Sequence, residues 1–352
     1  IDHIRLNSEL SESNLMALSE NDPGGKSLKN KYRAIVIAKP DSAFAKNEID
    51  KFIIDQFVMR GGKLLWLIDP VYADMDSLRR EQNQGNTVAI VNDLNLDDML
   101  FNYGVRLNPN LVVDLNSLSI PVVIDQKGNQ KLIPWLFFPI LTPSSGNPIV
   151  RNLNSIKTEF VSSIDTVETP GISKTILLTT SRYSRVLNAP VMVSLRFLYQ
   201  EPDATQFNQP YQSVAVLLEG EFASLFQNRI PQEIAKVVGV NFTGKSPKTA
   251  MIVVSDGDVI KNQLQPDERG VTPLPLGYDR YSGQQFGNKD FILNAMNYLC
   301  DDSGLLTVRS REVKLRKLDM ERVKTDRLEW QLLNTLVPVL LVLVFAVVQG
   351  YL

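Results

Sequence analysis

Apolar and polar positions alternate in three distinct textures along this chain. Residues 32–38 (YRAIVIA) form a continuous apolar run closed by Lys39 and Pro40, the signature of a buried strand. Residues 46–60 then bring Ile49, Phe52, Ile53 and Phe57 onto one helical face before Gly61 and Gly62. Residues 63–68 (KLLWLI) form the next run, closed by Asp69 and Pro70. Strand, helix and strand at this spacing predict a βαβ unit with a right-handed crossover and parallel strands. Residues 93–103 predict a second helix, with Asp93 as its N-cap and Gly104 past its end, leading to a short strand at 111–113. Runs at 213–218 (SVAVLL) and 250–254 (AMIVV) return to parallel-sheet texture. Residues 230–238 have helical spacing, and a last helix is expected at 289–299.

The second texture covers residues 115–212, with many prolines, short apolar runs at 121–124, 175–179 and 191–197, and a Lys127-Gly128-Asn129 turn. It predicts a β-rich insertion. Residues 1–31 are polar, with a turn at Asp22-Pro23-Gly24-Gly25. The expected fold is α/β: a doubly wound, mainly parallel sheet over residues 32–308, interrupted by the insertion at 115–212.

The third texture is the C-terminus. Residues 332–352 contain only Asn334, Thr335 and Gln349 as clearly polar side chains, around an apolar run at 336–348. As a helix they extend roughly 31 Å, about the thickness of a bilayer core, and Trp330 stands at the start like an interfacial anchor. This predicts a transmembrane helix, with a buried core helix as the competing reading. Pro338 is tolerated in such a helix because neighbours satisfy the carbonyl it frees. Trp330, Leu336, Pro338, Leu340, Leu343, Phe345 and Val347 are the expected bilayer and partner-helix residues. The preceding stretch, 309–331, is a basic juxtamembrane helix in this reading. Its residues 309–329 carry eight basic side chains against five acidic ones, which by the positive-inside rule favours a cytoplasmic start. The same mixed charges also suit a solvated helix face, so these residues leave the orientation open.

Composition narrows the chemistry. Lys plus Arg is 37 and Asp plus Glu is 39, a formal charge of −2, so nothing points to nucleic acid. One cysteine, Cys300, and one histidine, His3, exclude an intrachain disulfide, a Cys/His zinc site and a cysteine–histidine nucleophilic pair built by this chain alone. Cys300 reads as filler late in a helix.

Two motifs remain. Gly239-Val240-Asn241-Phe242-Thr243-Gly244-Lys245-Ser246 matches the phosphate-loop pattern of nucleotide hydrolases. That loop requires a strand before it and a helix after it, whereas here helical spacing precedes it and Pro247 leads into a strand. The match reads as accidental. Gly25-Lys26-Ser27 fails because Glu20 stands where the first glycine belongs. Separately, Asp69, Ser255-Asp256-Gly257-Asp258 and Glu219-Gly220-Glu221 each end a predicted strand, where α/β folds bind ligands or Mg²⁺. Together they suit an oxygen-ligand cation site, while turn preference alone also puts Asp and Gly there. Asp69, Asp256 and Asp258 are the expected contact rim, with no catalytic, cofactor or metal-binding residue assigned.

Several stretches, in order, resemble the GldG family of gliding-motility ABC-transporter auxiliary proteins of Bacteroidota. They are AIVIAKPDSAF from Ala34, GGKLLWLIDPV from Gly61, DLNLDDMLFNYGVRLNP from Asp93, VLLEGEF from Val216, VVSDGDVIKNQL from Val253 and GNKDFILNAMNYLCDDSGLLTVRSREVKL from Gly287. The resemblance spans about residues 32–352. It implies a glutamine-amidotransferase-like sheet lacking the nucleophilic Cys–His pair, on a non-catalytic inner-membrane protein whose soluble domain is periplasmic. It further implies contact with a permease subunit and, through it, an ATPase subunit, two copies per complex, and a link to gliding and type IX secretion. The family also carries an N-terminal transmembrane segment and a further soluble region, expected to precede Ile1. The alternative is a cation-dependent hydrolase using Asp256 and Asp258, or a nucleotide hydrolase using the Gly239 loop.

Overall fold

A computed structural model of the chain describes residues 2–6, 11–22, 28–40, 48–123, 128–227, 229, 230, 234, 242–267, 270–301 and 327–351. The chain divides into two units, Ile1–Lys314 and Leu315–Leu352.

The first unit is built on an eight-stranded mixed sheet. In chain order its elements are β1 (Ala34–Ala38), α1 (Glu48–Met59), β2 (Lys63–Leu67), α2 (Asp97–Tyr103), β3 (Ser117–Val123), β4 (Gln130–Pro143), β5 (Ile156–Lys157), β6 (Ile172–Thr179), β7 (Ser213–Gly220), β8 (Thr249–Val254) and α3 (Asn288–Cys300). The strands lie in the order β5-β4-β6-β7-β8-β2-β1, with β3 paired to β4.

The predicted βαβ unit is present, and β1, β2 and β8 run parallel. Every other pairing in the sheet is antiparallel, which corrects the expectation of a mainly parallel sheet. The reason lies in the connections. After β7 the chain turns back on itself: the Phe222 N–H donates to Ser246 Oγ and the Ser246 N–H to the Phe222 carbonyl, each at 2.8 Å. It therefore re-enters at Thr249, opposite Gly220, as the antiparallel neighbour. A continuous apolar run reports burial on both faces and carries no information on direction.

Burial on both faces is what the core shows. Alternate residues of a strand point to opposite faces. On one face Leu64, Trp66, Val216, Leu218, Met251 and Val253 cluster with Phe52, Ile53 and Phe57 of α1 and Met99 and Leu100 of α2. On the other, Leu65, Leu67, Leu217, Ile252 and Val254 cluster with Phe291, Ala295 and Leu299 of α3. Fully burying each such side chain contributes about 1.5–3 kcal/mol. Asp55 links this first layer internally, accepting from Ser224 Oγ at 2.6 Å, Tyr103 Oη at 2.9 Å and the Leu225 N–H at 3.0 Å. Buried Lys51 holds Asp98 of α2 at 2.7 Å.

The second predicted helix begins four residues later than expected. Leu96 stands at its N-cap position without a side-chain cap, and Asp93 lies outside it, because Asn95 takes a left-handed φ of 54° that breaks the helical path. Gly104 ends the helix as predicted, at φ 109°. The strand expected at 111–113 is Asn110–Asp114, paired off the main sheet with Ser184–Asn188. The stretch expected as an insertion is β-rich, and it supplies β3, β4, β5 and β6 to the main sheet. An aromatic cluster of Trp135, Phe137, Phe138 and Phe160 fills the space beneath it. The turn at Pro23-Gly24-Gly25, Lys127, and the helix at 230–238 apart from Ile230 and Ile234 fall outside the described residues.

In the second unit, α4 (Arg327–Tyr351) is a 25-residue helix, about 37 Å long, interrupted by no break at Pro338. Its segment Arg327–Ala346 is long and apolar enough to cross a membrane. Most of the basic stretch at 309–331 falls outside the described residues.

The turn from α1 into β2 is close-packed. A Cβ on Gly62 would lie 2.3 Å from Cε1 of Phe57, a fully buried ring. Gly62→Ala is expected to lower stability by about 1–3 kcal/mol, with part of the loss recovered by adding Phe57→Leu. Urea unfolding of the detergent-solubilised chain, with its double-mutant cycle, measures both.

Candidate functional site

Three parallel strands deliver their C-terminal ends to one edge of the sheet, and a charged residue follows each. Lys39 leaves β1, its N–H bonded to the Leu67 carbonyl at 2.8 Å, Asp69 stands two residues past β2, and Asp256 two past β8. A one-turn 3-10 helix, Gly257–Ile260, starts there with Asp256 as its cap, the carboxylate accepting the Asp258 N–H at 2.6 Å. This cap folds Asp258 back beside Asp256 and Asp69. Only glycine fits between them: a Cβ on Gly257 would lie 2.9 Å from Lys39 Cβ and 3.1 Å from Asp69 Oδ1.

The carboxylate oxygens of Asp69, Asp256 and Asp258 come within 4.8 Å of one another, a spacing suited to a divalent cation. Backbone N–H groups and lysine ammonium groups of the protein itself face these oxygens, Asp258 Oδ1 through an ion pair without a hydrogen bond. Asp69 accepts from the Gly257 N–H at 2.5 Å and faces Lys39 Nζ at 3.2 Å. Asp256 accepts from the N–H groups of Asp258 at 2.6 Å and Glu159 at 3.1 Å. Asp258 faces Lys39 Nζ at 2.6 Å and Lys261 Nζ at 3.1 Å. Lys261 also reaches Glu159 at 3.5 Å. Lys39 thus bridges Asp69 and Asp258, Lys261 bridges Asp258 and Glu159, and the arrangement binds three strand ends to one another.

Burial and repulsion set the electrostatics. Asp256 is fully buried, and burial, with Asp258 and Asp69 beside it, pushes its carboxyl well above the ordinary range. Burial also raises Asp69, against the pull of Lys39. Glu159 rises by burial, which Lys261 opposes. Burial alone would lower Lys39 and Lys261, but the acids around each more than reverse it, and both are held above the ordinary lysine value.

Of the sequence-predicted residues, Asp69, Asp256 and Asp258 meet here. Glu219-Gly220-Glu221 does not join them, since antiparallel β7 ends at the opposite edge, where Gly220 faces the first residue of β8. Glu219 instead accepts from Tyr298 Oη at 2.8 Å, and burial together with that bond pushes the phenol up to about 12. The described half of the Gly239 motif is committed elsewhere: Lys245 pairs with Glu221 at 2.5 Å, Ser246 Oγ is taken by Phe222, and the Thr243 backbone bonds Gln56 of α1. Gly239, Val240 and Asn241 fall outside the described residues. Trp330, Leu336, Pro338, Leu340, Leu343 and Phe345 all lie on α4, the five apolar ones other than proline exposed; the side chain of Val347 falls outside the described residues. Sequence reasoning missed Lys39, Glu159 and Lys261. Lys39 carried a signal, a charge ending a predicted parallel strand, as Asp69 does. Glu159 carried none, because the β-rich middle brings it in from a distance.

Comparison with known proteins gives three findings. The profile of the ABC-transporter auxiliary family, described as an ABC-type uncharacterized transport system, matches residues 7–295. No curated protein sequence matches significantly. Among solved structures, the mmIFT52 N-terminal domain is similar at 11% identity and a TM-score of 0.36, covering 77% of this chain and 78% of that one, which is too distant to carry an argument.

Lys39→Ala tests the strand-end cluster. Without the ammonium, Asp69 keeps its burial and the repulsion of Asp258 and loses the opposing pull, so it holds its proton to higher pH folded than unfolded. The folded state then binds more protons, and stability falls as pH rises above the ordinary aspartate value of 3.8. With Lys39 half-exposed, the expected loss is about 1–3 kcal/mol at pH 7, shrinking toward pH 4. Urea unfolding at pH 4.5, 6 and 8, in steps of about one to two units, measures it.

Proposed function

The chain belongs to this auxiliary family of ABC-type transport systems, and from that premise we propose that it is a membrane-anchored, non-catalytic subunit acting by protein contact. The observation that carries this reading is α4, whose large apolar side chains are exposed along its length. Such a surface is stable in a bilayer and costly in water. The proposed partners are a permease subunit and, through it, an ATPase subunit, with two copies of this chain per complex and the α/β unit on the periplasmic side of a bacterial inner membrane. The stretches that resemble GldG extend the proposal to gliding motility and type IX secretion in Bacteroidota, and to a glutamine-amidotransferase-like fold for the parallel part of the sheet. Internal charge pairing at the strand ends supports a structural use of Asp69, Asp256 and Asp258, in holding those ends together.

A second reading, a cation-dependent hydrolase, draws on the 4.8 Å approach of the three carboxylates. The nucleotide-hydrolase alternative through Lys245 draws on nothing beyond the motif.

Affinity purification of the tagged full-length chain from its native membrane in mild detergent is expected to recover a permease and an ATPase, and Leu340→Arg to lose both. Recovery of the chain alone would oppose the auxiliary reading. Calorimetric titration of the purified chain with Mg²⁺ is expected to show no binding; heat lost in Asp256→Asn would support the hydrolase instead.

A further inference from the structure

From Gln331 onward the polar side chains of α4 share one face, while Glu329, in the first turn, lies on the opposite one. Arg327, Gln331, Asn334 and Pro338 follow one another at spacings of four, three and four residues, and Leu341, Phe345 and Val348 continue the same seven-residue line. Thr335 borders it. The opposite face carries Leu333, Leu336, Leu340 and Leu343. A helix surrounded only by lipid has no reason to gather its polar residues on one side.

The line also carries a backbone requirement. Pro338 has no N–H, so the Asn334 carbonyl lacks the donor that an unbroken helix would give it. The Thr335 hydroxyl is already committed to the Gln331 carbonyl. The same turn thus presents an acceptor needing a donor, the Asn334 carbonyl, and an amide able to donate, the Asn334 side chain. In hydrocarbon, where no water competes, both call for a protein partner.

We propose that this face binds a second copy of the same helix, as a parallel, two-fold symmetric pair centred on Asn334. Two copies inserted in one orientation bring Asn334 to the same depth with no further adjustment. Each amide then faces the other copy's acceptor, so the surface is self-complementary in the sense a two-fold interface requires. A single polar residue on such a seam also fixes its register, because any slip separates the two amides. The inference rests on the membrane-spanning reading of α4, and is independent of which permease the chain contacts.

The test is disulfide cross-linking of the full-length chain in native membranes, in a Cys300→Ser background, with single cysteines along α4. Cross-linked species of twice the chain mass are expected from Leu341→Cys, Phe345→Cys and Val348→Cys, which leave Asn334 in place, and not from Leu336→Cys, Leu340→Cys or Leu343→Cys. Asn334→Leu is expected to weaken the pair about three- to fifteen-fold, read as reduced cross-linking at Leu341→Cys. A chain that resists carbonate extraction but gives no cross-link, or gives it on the Leu336 face, would overturn the pair and leave the membrane reading intact. Cross-links from the Asn334 face to a protein of different mass would overturn it in favour of another helix. A chain washed from the membrane by carbonate would overturn both readings.

Discussion

Parallel pairing of β1, β2 and β8 is the constraint on which the rest of the first unit depends. Three strands running in one direction bring their backbone ends to one edge, and the crossover between β1 and β2 leaves α1 packed on one face of the sheet. With α3 on the other face, β2 and β8 are covered on both sides and Leu64 to Ile68 becomes almost inaccessible to water, while β1 at the sheet edge stays partly exposed. That two-sided burial is what makes these segments apolar without interruption. It also fixes register, since a slip by one residue would exchange the sets that meet α1 and α3.

Such convergence brings a cost: side chains at the strand ends are desolvated together. Lys39, Asp69, Asp256 and Asp258 meet within a few ångströms, in part buried, and like charges there would force the edge apart. The chain answers with donors of its own, two ammonium groups and three backbone N–H groups. The cluster is thereby both a consequence of the parallel core and a lock on it.

Antiparallel strands extend the sheet from β7 outwards, and they account for the difference in texture along the chain. Hairpin-like returns need no crossover helix, so the middle of the sequence alternates short strands with turns, and its core is aromatic. The second unit is a helix long and apolar enough to cross a membrane, and in the proposed bilayer setting the line of Gln331, Asn334 and Pro338 is its partner-facing side.

Sequence alone determined the local elements wherever one physical signal dominated: β1, α1, β2 and α3 from apolar spacing, the end of α2 from Gly104, and the presence of an apolar C-terminal helix, though not its start, from the run at 336–348. It also determined that Asp69 and Asp256 would end strands. Only the tertiary structure decided strand direction, because an apolar run is the same read either way, and that decision moved Glu219 to the far edge while bringing Lys39, Glu159 and Lys261 to the acids. Asp93 failed as a cap for a related reason: the left-handed turn at Asn95 depends on how the chain leaves the sheet. Spacing along the chain reveals what a segment can bury; which charges meet depends on the path the backbone takes between segments, and no local pattern carries that path.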